Sequence, residues 1–290
     1  MTDRIRTALE QHTGALEEAE LVTDRRGIQV WRVTATGGPV AAPGQRLAVK
    51  IPDRAGLIAA RREVAALEAI GAQTRNPRSP LIDGGTFTVA PWFDGPSTAT
   101  LFRAARYGAD LPTPGQLDMR AAAAHYCRAV AELHHLGWVH GDLQAAHCIH
   151  TESGPRLIDL TNAQGPRQLS EPELNTPFTG GLAHLEAPEL AAPLGIGRSP
   201  VPTYASDVYA LAASLWAAAT GAWPLNYQLA GLDPSTVGTS DLRVAIGTGT
   251  IPLATSTVWP ELLAVLAAAL VPASNDRPTA AQLGDAIDAL

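Results

Sequence analysis

The chain has 290 residues, 46% of them apolar, 17% charged and 5% aromatic, with 21 Lys and Arg against 28 Asp and Glu for a formal net charge of -7. That is enough chain for one large core or two small ones, and the balance of polar and apolar residues excludes a disordered protein. An acidic total without a basic cluster argues against a dedicated nucleic-acid or anionic-membrane binder, which needs concentrated positive charge.

The first twenty residues, MTDRIRTALEQHTGALEEAE, read as a charged amphipathic helix to about Glu20. They lack the apolar stretch of a secretory signal, which makes the cytoplasm the expected location. GIQVWRV and RLAVKI then read as strands, separated by the turn-rich ATGGPVAAPGQ. A helix follows over AGLIAARREVAALEAIGAQ, and PLIDGGTFTVAPWF reads as two further strands around Gly84 and Gly85. Past the DGPS turn, near residues 94 to 97, the pattern becomes helical: QLDMRAAAAHYCRAVAELHHLG, YASDVYALAASLWAAAT, ELLAVLAAAL and TAAQLGDAIDAL. Between the first two of these lie short strands at CIHT and RLIDL and a long irregular stretch from Thr161 to Leu185. The expected organisation is α+β, a strand-rich part over residues 1–95 and a helical part over 96–290. The longest uncharged run begins at Val208, is interrupted by Gly221 and Pro224, and reads as a core helix rather than a membrane span. Cys127 and Cys148 lack disulfide-scaffold or metal-ligand spacing and read as reduced core thiols.

Twenty of the basic residues are Arg and one, Lys50, is Lys. On a strand flanked by Leu47, Val49 and Ile51 it has a bland reading, an edge lysine that discourages aggregation. Arginine would serve that purpose equally, whereas a compact ammonium touching phosphate oxygens and a carboxylate at once is a task arginine fills badly. Glu63 falls with Ala60, Leu67 and Ile70 on the apolar stripe of the following helix, where a carboxylate needs a buried partner. Lys50 is the candidate; the alternative is a solvated charge beside Arg61 and Arg62. In WVHGDLQAAHCIH and the following PRLIDLTNAQG, Asp142 lies just after a helix and Asp159 at the end of an apolar strand. Two carboxylates brought together by a hairpin suit a base for a hydroxyl proton and a ligand for a divalent cation.

These segments together resemble the protein kinase superfamily, from about residue 21 to 290. LAVKIP is similar to its VAIK strand and RREVAAL to the helix that supplies the partner carboxylate, so the resemblance implies phosphate anchoring by Lys50 with Glu63. HGDLQAAH resembles the HRDLKxxN catalytic loop, which makes Asp142 the implied base, and IDLT resembles DFG, which makes Asp159 the implied metal ligand. EAPEL carries the APE signature at Ala187, Pro188 and Glu189. Asp207 in SDVYALAASLW is expected to bond the catalytic-loop backbone, and Arg277 in NDRPTAAQL to pair with Glu189. Pro91 and Phe93, beside Trp92, stand where the family's adenine-binding carbonyl and N–H lie. The resemblance implies a bilobal protein kinase-like fold with a small strand-rich N-lobe and a larger helical C-lobe, ATP with Mg²⁺ or Mn²⁺ as cofactors, and a protein or peptide substrate, for instance a biosynthetic precursor peptide.

The departures are chemical. TDRRGIQVW keeps one glycine, Gly27, of the GxGxxG nucleotide loop. Gly141 replaces the Arg of HRD, Gln144 the loop Lys, and Leu160 and Thr161 the Phe and Gly of DFG. His147 stands where Asn holds the second Mg²⁺; imidazole suits softer transition metals, whereas Mg²⁺ prefers oxygen. His147 is therefore a candidate ligand for a metal such as Mn²⁺, a hydrogen-bond partner of Asp142, or a packed side chain. His134 and His135 end a helix and read as helix-end cations. The leading reading is an ATP-dependent Ser/Thr kinase-type phosphotransferase. The alternatives are a pseudokinase acting as a nucleotide-binding regulatory or scaffold module, and a small-molecule kinase of aminoglycoside type.

Overall fold

The computed structural model describes residues 1–25, 27–54, 56–74, 82–83, 86–107, 119–271 and 273–290. Gly84 and Gly85, the expected turn between two strands, lie outside the described residues. Helix α1 spans Asp3–Thr13 and is capped by the Thr2 side chain. The expected continuation to Glu20 is corrected: Gly14 turns to φ 75, and Leu16–Arg25 is strand β1. A Cβ on Gly14 would lie 2.2 Å from the Gly37 carbonyl oxygen, so chain approach and backbone hand both stop the helix there.

Strands β2 (Ile28–Ala35), β3 (Arg46–Pro52), β4 (Ile82–Asp83) and β5 (Thr88–Pro91) complete an antiparallel sheet of order β1-β2-β3-β5-β4. Its buried face joins Val33, Leu47, Val49, Phe87 and Val89 to Leu9 of α1. Helix α2 (Leu57–Thr74) buries Ala60, Glu63, Val64 and Ala66. By contacts the chain divides into two compact units, Met1–Phe93 with Arg167–Thr176, and Asp94–Pro166 with Pro177–Leu290.

The second unit is built on α6 (Tyr204–Thr220), which is buried around nearly its whole circumference. Its sequence is apolar all round, and a Thr203–Ser206 capping box and a left-handed Gly221 fix its ends. Helices α3 (Thr98–Tyr107), α4 (Met119–His135) and α8 (Pro260–Leu270) pack against it, α9 (Ala280–Asp288) packs on α4 and α8, and α5 (Pro188–Gly195) packs with α7 (Thr239–Gly247). Small side chains allow close packing: Ala122, Ala123 and Ala124 are wholly buried, and a Cβ on Gly284 would sit 3.0 Å from that of Cys127. Both cysteines are free, and burial pushes the Cys148 thiol up to about 12, which keeps it protonated and unreactive. The hairpin β6 (Cys148–Thr151) and β7 (Gly154–Leu157) lies between α4 and α5 in sequence. Strand β7 ends at Leu157, so Asp159 does not close a strand as its sequence suggests; it stands at φ 62, ψ 56. No helix among the described residues is long and apolar enough to cross a membrane.

Candidate active site

In the first unit the lone lysine meets its expected partner. Lys50, on β3 in register with Val30 and Thr88, brings Nζ to 2.5 Å from Glu63 Oε2 on α2. The two side chains are 20% and 9% exposed, so Glu63 is not a solvated helix charge. Next to it, Arg62 is buried and donates through Nη1 to the Thr176 hydroxyl at 2.7 Å and carbonyl at 3.0 Å. Arg61 pairs with Glu171 at 2.7 Å. The 167–176 segment is folded for this by Asn175, whose side chain bonds both polar backbone atoms of Leu169. Helix α2, and with it Glu63, is therefore anchored by residues more than a hundred positions away in sequence.

Three further expected positions belong to this unit. Pro91 ends β5 opposite Leu47, and Phe93 is half-buried just beyond. Gly27 lies in a tight turn that joins Arg25 to its cross-strand partner Ile28. Its φ is 76, and a Cβ there would lie 2.2 Å from Asp53 Oδ2. Both the turn and the Asp53 carboxylate thus require glycine at this position.

The second unit holds the residues of the WVHGDLQAAH segment. Asp207, at the start of α6, accepts the His140 N–H at 2.7 Å and the Gly141 N–H at 2.9 Å on separate oxygens. His134 Nε2 reaches the same carboxylate at 3.0 Å, so this residue is more than a helix-end cation. The sequence carries no local signal for that contact, which joins positions 73 residues apart. His140 donates from Nε2 to the Ile158 carbonyl at 3.1 Å, and its Nδ1 accepts the Asp142 N–H at 3.3 Å. Burial pushes the His140 imidazole down, which favours this neutral tautomer.

Asp142 is held by side chain and backbone together. Gln144 Nε2 donates to its two oxygens at 3.1 and 3.2 Å, and the Leu182 N–H donates to Oδ1 at 3.1 Å. His147 Nδ1 donates to the Asp142 carbonyl at 2.9 Å, which turns Nε2 toward Asp159 Oδ2 at 3.5 Å. The other Asp159 oxygen accepts the Thr161 hydroxyl at 2.7 Å. His147 and Asp159 place a nitrogen and an oxygen donor side by side, with the imidazole orientation fixed by the bond to Asp142. That donor set fits Mn²⁺ better than Mg²⁺. Among the described residues no group of three His, Cys, Asp or Glu side chains forms a metal cluster. The frame behind the loop is closed by Arg277, which binds Glu189 with two bonds of 2.6 and 3.0 Å and also bonds the Ala205 carbonyl.

Over 115 residues the chain is 33% identical to the serine/threonine-protein kinase AfsK of Streptomyces griseus and 34% identical to that of Streptomyces coelicolor. The matched stretch is 40% of this chain and 13% of each relative's length. No family model matches the chain. The similarity supports a kinase-like relationship and a kinase-like function, and the α+β architecture is compatible with both.

Proposed function

We propose that the chain is an ATP-dependent phosphotransferase of Ser/Thr protein kinase type, acting on a hydroxyl of a protein or peptide. The observation that carries this reading is the convergence of Asp142, His147 and Asp159, in which one imidazole bonds the backbone of the first and faces the carboxylate of the last. In this reading Asp142 accepts the hydroxyl proton as the substrate oxygen bonds the γ-phosphorus and the bond from that phosphorus to the β–γ bridging oxygen breaks, releasing ADP. Lys50, oriented by Glu63, anchors the α- and β-phosphates. His147 and Asp159 would hold a divalent cation, which when bound supplies charge neutralisation on the phosphates. Gln144 contributes a neutral donor to Asp142 rather than a cation to the phosphoryl group, so more of the charge compensation falls to Lys50 and the cation site. Pro91 and Phe93 are assigned to adenine recognition.

A second reading is a nucleotide-binding regulatory module without transfer. The neutral Gln144 at the loop Lys position favours it, because its amide is spent on Asp142 and supplies no cation to the transferred phosphoryl group. Thermal-shift titration of ATP with Mg²⁺ and with Mn²⁺ on wild type and Lys50→Ala tests both. ATP is expected to stabilise the wild type and not the variant; no Lys50-dependent stabilisation with either metal would remove both readings. Binding without transfer to any of a broad panel of acceptors would favour the second.

A further inference from the structure

Two adjacent glycines lie against charged side chains of the second unit. Gly180 has φ 95, and a Cβ there would sit 2.1 Å from Arg243 Nη2 and 2.6 Å from Glu186 Oε1. A Cβ on Gly181 would sit 2.3 Å from Asp142 Oδ1. Glu186 is buried and joined to Arg243 by two bonds, Nε to Oε2 at 2.8 Å and Nη2 to Oε1 at 2.6 Å. The pair grips both polar backbone atoms of Gly181: Glu186 Oε1 accepts its N–H at 2.9 Å, and Arg243 Nη2 donates to its carbonyl at 3.4 Å. The next N–H, that of Leu182, donates to Asp142 Oδ1.

The Gly181 carbonyl and the Leu182 N–H belong to one peptide group. In a planar trans peptide they point in opposite directions, so a single rigid plane links Arg243 on one side to Asp142 on the other. A guanidinium on the carbonyl polarises the amide and strengthens its N–H as a donor. Any rotation of the plane turns that donor away from Asp142. Oδ1 accepts from both Leu182 and Gln144 and Oδ2 from Gln144 alone, which leaves Oδ2 the less occupied oxygen for a substrate proton.

We propose that Arg243 and Glu186 are positioning residues for Asp142, acting through the Gly181–Leu182 peptide. The inference rests on the reading of Asp142 as the group that receives the acceptor hydroxyl. A buried ion pair is a poor choice for stability alone, because well-packed apolar residues often do as well. It is a good choice where a carboxylate must be held in one orientation before the reaction.

The test uses the full chain with ATP and Mn²⁺ or Mg²⁺, following slow transfer of the γ-phosphate to water so that no acceptor need be identified. Arg243→Met is expected to lower kcat about 10- to 100-fold with the KM for ATP changed less than about twofold, and Arg243→Lys to recover part of the loss. In an Asp142→Asn background the same substitution should cost less than about twofold further, since its route of action is gone. Equal losses in both backgrounds would overturn the inference. Gly181→Ala leaves the ion pair in place but forces the backbone off Asp142, so it should reproduce the Arg243→Met loss and stands in for that variant if Arg243→Met does not fold. Amide hydrogen exchange is independent of turnover: the Leu182 amide should exchange about tenfold faster or more in Arg243→Met than in wild type. An unchanged Leu182 rate would overturn the inference whatever the activity. A faster rate in a chain that transfers no phosphate would support the coupling and remove the phosphotransfer reading instead.

Discussion

The imidazole of His147 and the carboxylate of Asp159 face each other at 3.5 Å, with the other imidazole nitrogen bonded to the Asp142 carbonyl. In the proposed function this nitrogen and the carboxylate together hold a divalent cation. Metal preference should therefore follow residue 147. In wild type, Mn²⁺ is expected to support ATP binding and transfer better than Mg²⁺, and His147→Asn should reverse that order by exchanging a nitrogen ligand for an oxygen one. Parallel titrations of the two metals on both proteins check this; an unchanged preference would separate His147 from the cation.

Lys50 offers a test in which charge is kept and shape is not. In Lys50→Arg a planar guanidinium replaces a point charge beside Glu63, and we expect most phosphotransfer to be lost with the fold intact. Lys50→Met removes the charge and leaves Glu63, 9% exposed, without this partner. That change should cost roughly 1–3 kcal/mol in urea denaturation, more than Lys50→Arg does.

Gly141 occupies the Arg position of the HRD pattern, yet restoring the arginine should not restore a kinase-like loop. The residue stands at φ 78, and a Cβ would lie 2.8 Å from the Asn162 carbonyl oxygen. Gly141→Arg and Gly141→Ala are both expected to lower stability by about 1–3 kcal/mol through the same backbone strain. Chemical denaturation of the pair separates this from any effect of charge; a stabilised Gly141→Arg would contradict it.

His150 predicts a pH dependence of stability. Its Nε2 meets the buried Thr98 hydroxyl at 2.8 Å, its ring lies 6.4 Å from that of His125, and burial pushes its imidazole down to about 4. His125 is also pushed down, by burial and by the neighbouring Arg128. A histidine kept neutral in the fold binds fewer protons than the unfolded chain between its two pKa values. Its contribution is complete above about pH 6.5 and is lost as pH falls toward 4, roughly 3 kcal/mol in all. Thermal denaturation between pH 7.5 and 4.5 should show this slope, flattened in His150→Phe.

Much of the chemistry was legible because it sits on short segments with strong local character. Lys50 lies on an apolar strand and Glu63 on the apolar stripe of a helix, so their contact follows from burying both. Asp207 heads a helix apolar all round, and its burial requires donors, which the 140–141 backbone supplies. Other features had no such signature. The charged residues of β1 imitate an amphipathic helix because β1 is an edge strand with little of either face covered. Helix α5 contains Pro193, and α7 is nine residues between glycine-rich turns, so neither displays a helical period long enough to read. Arg62–Thr176 and Arg243–Glu186 join positions 114 and 57 residues apart, and only the fold brings them together. The apolar run before Asp159 reads as a strand that it ends, but the αL conformation that aims its carboxylate at His147 is a property of the turn and not of the residue.

The central claim is that Asp142 receives the proton of a hydroxyl phosphorylated by ATP. Its most direct test is transfer of labelled γ-phosphate from ATP, with Mn²⁺ and with Mg²⁺, to a panel of protein and peptide acceptors by wild type and Asp142→Asn, which removes the charge but keeps the shape. Transfer by wild type is expected, reduced about 100-fold or more in Asp142→Asn with nucleotide binding retained. Transfer that proceeds undiminished in Asp142→Asn would contradict it.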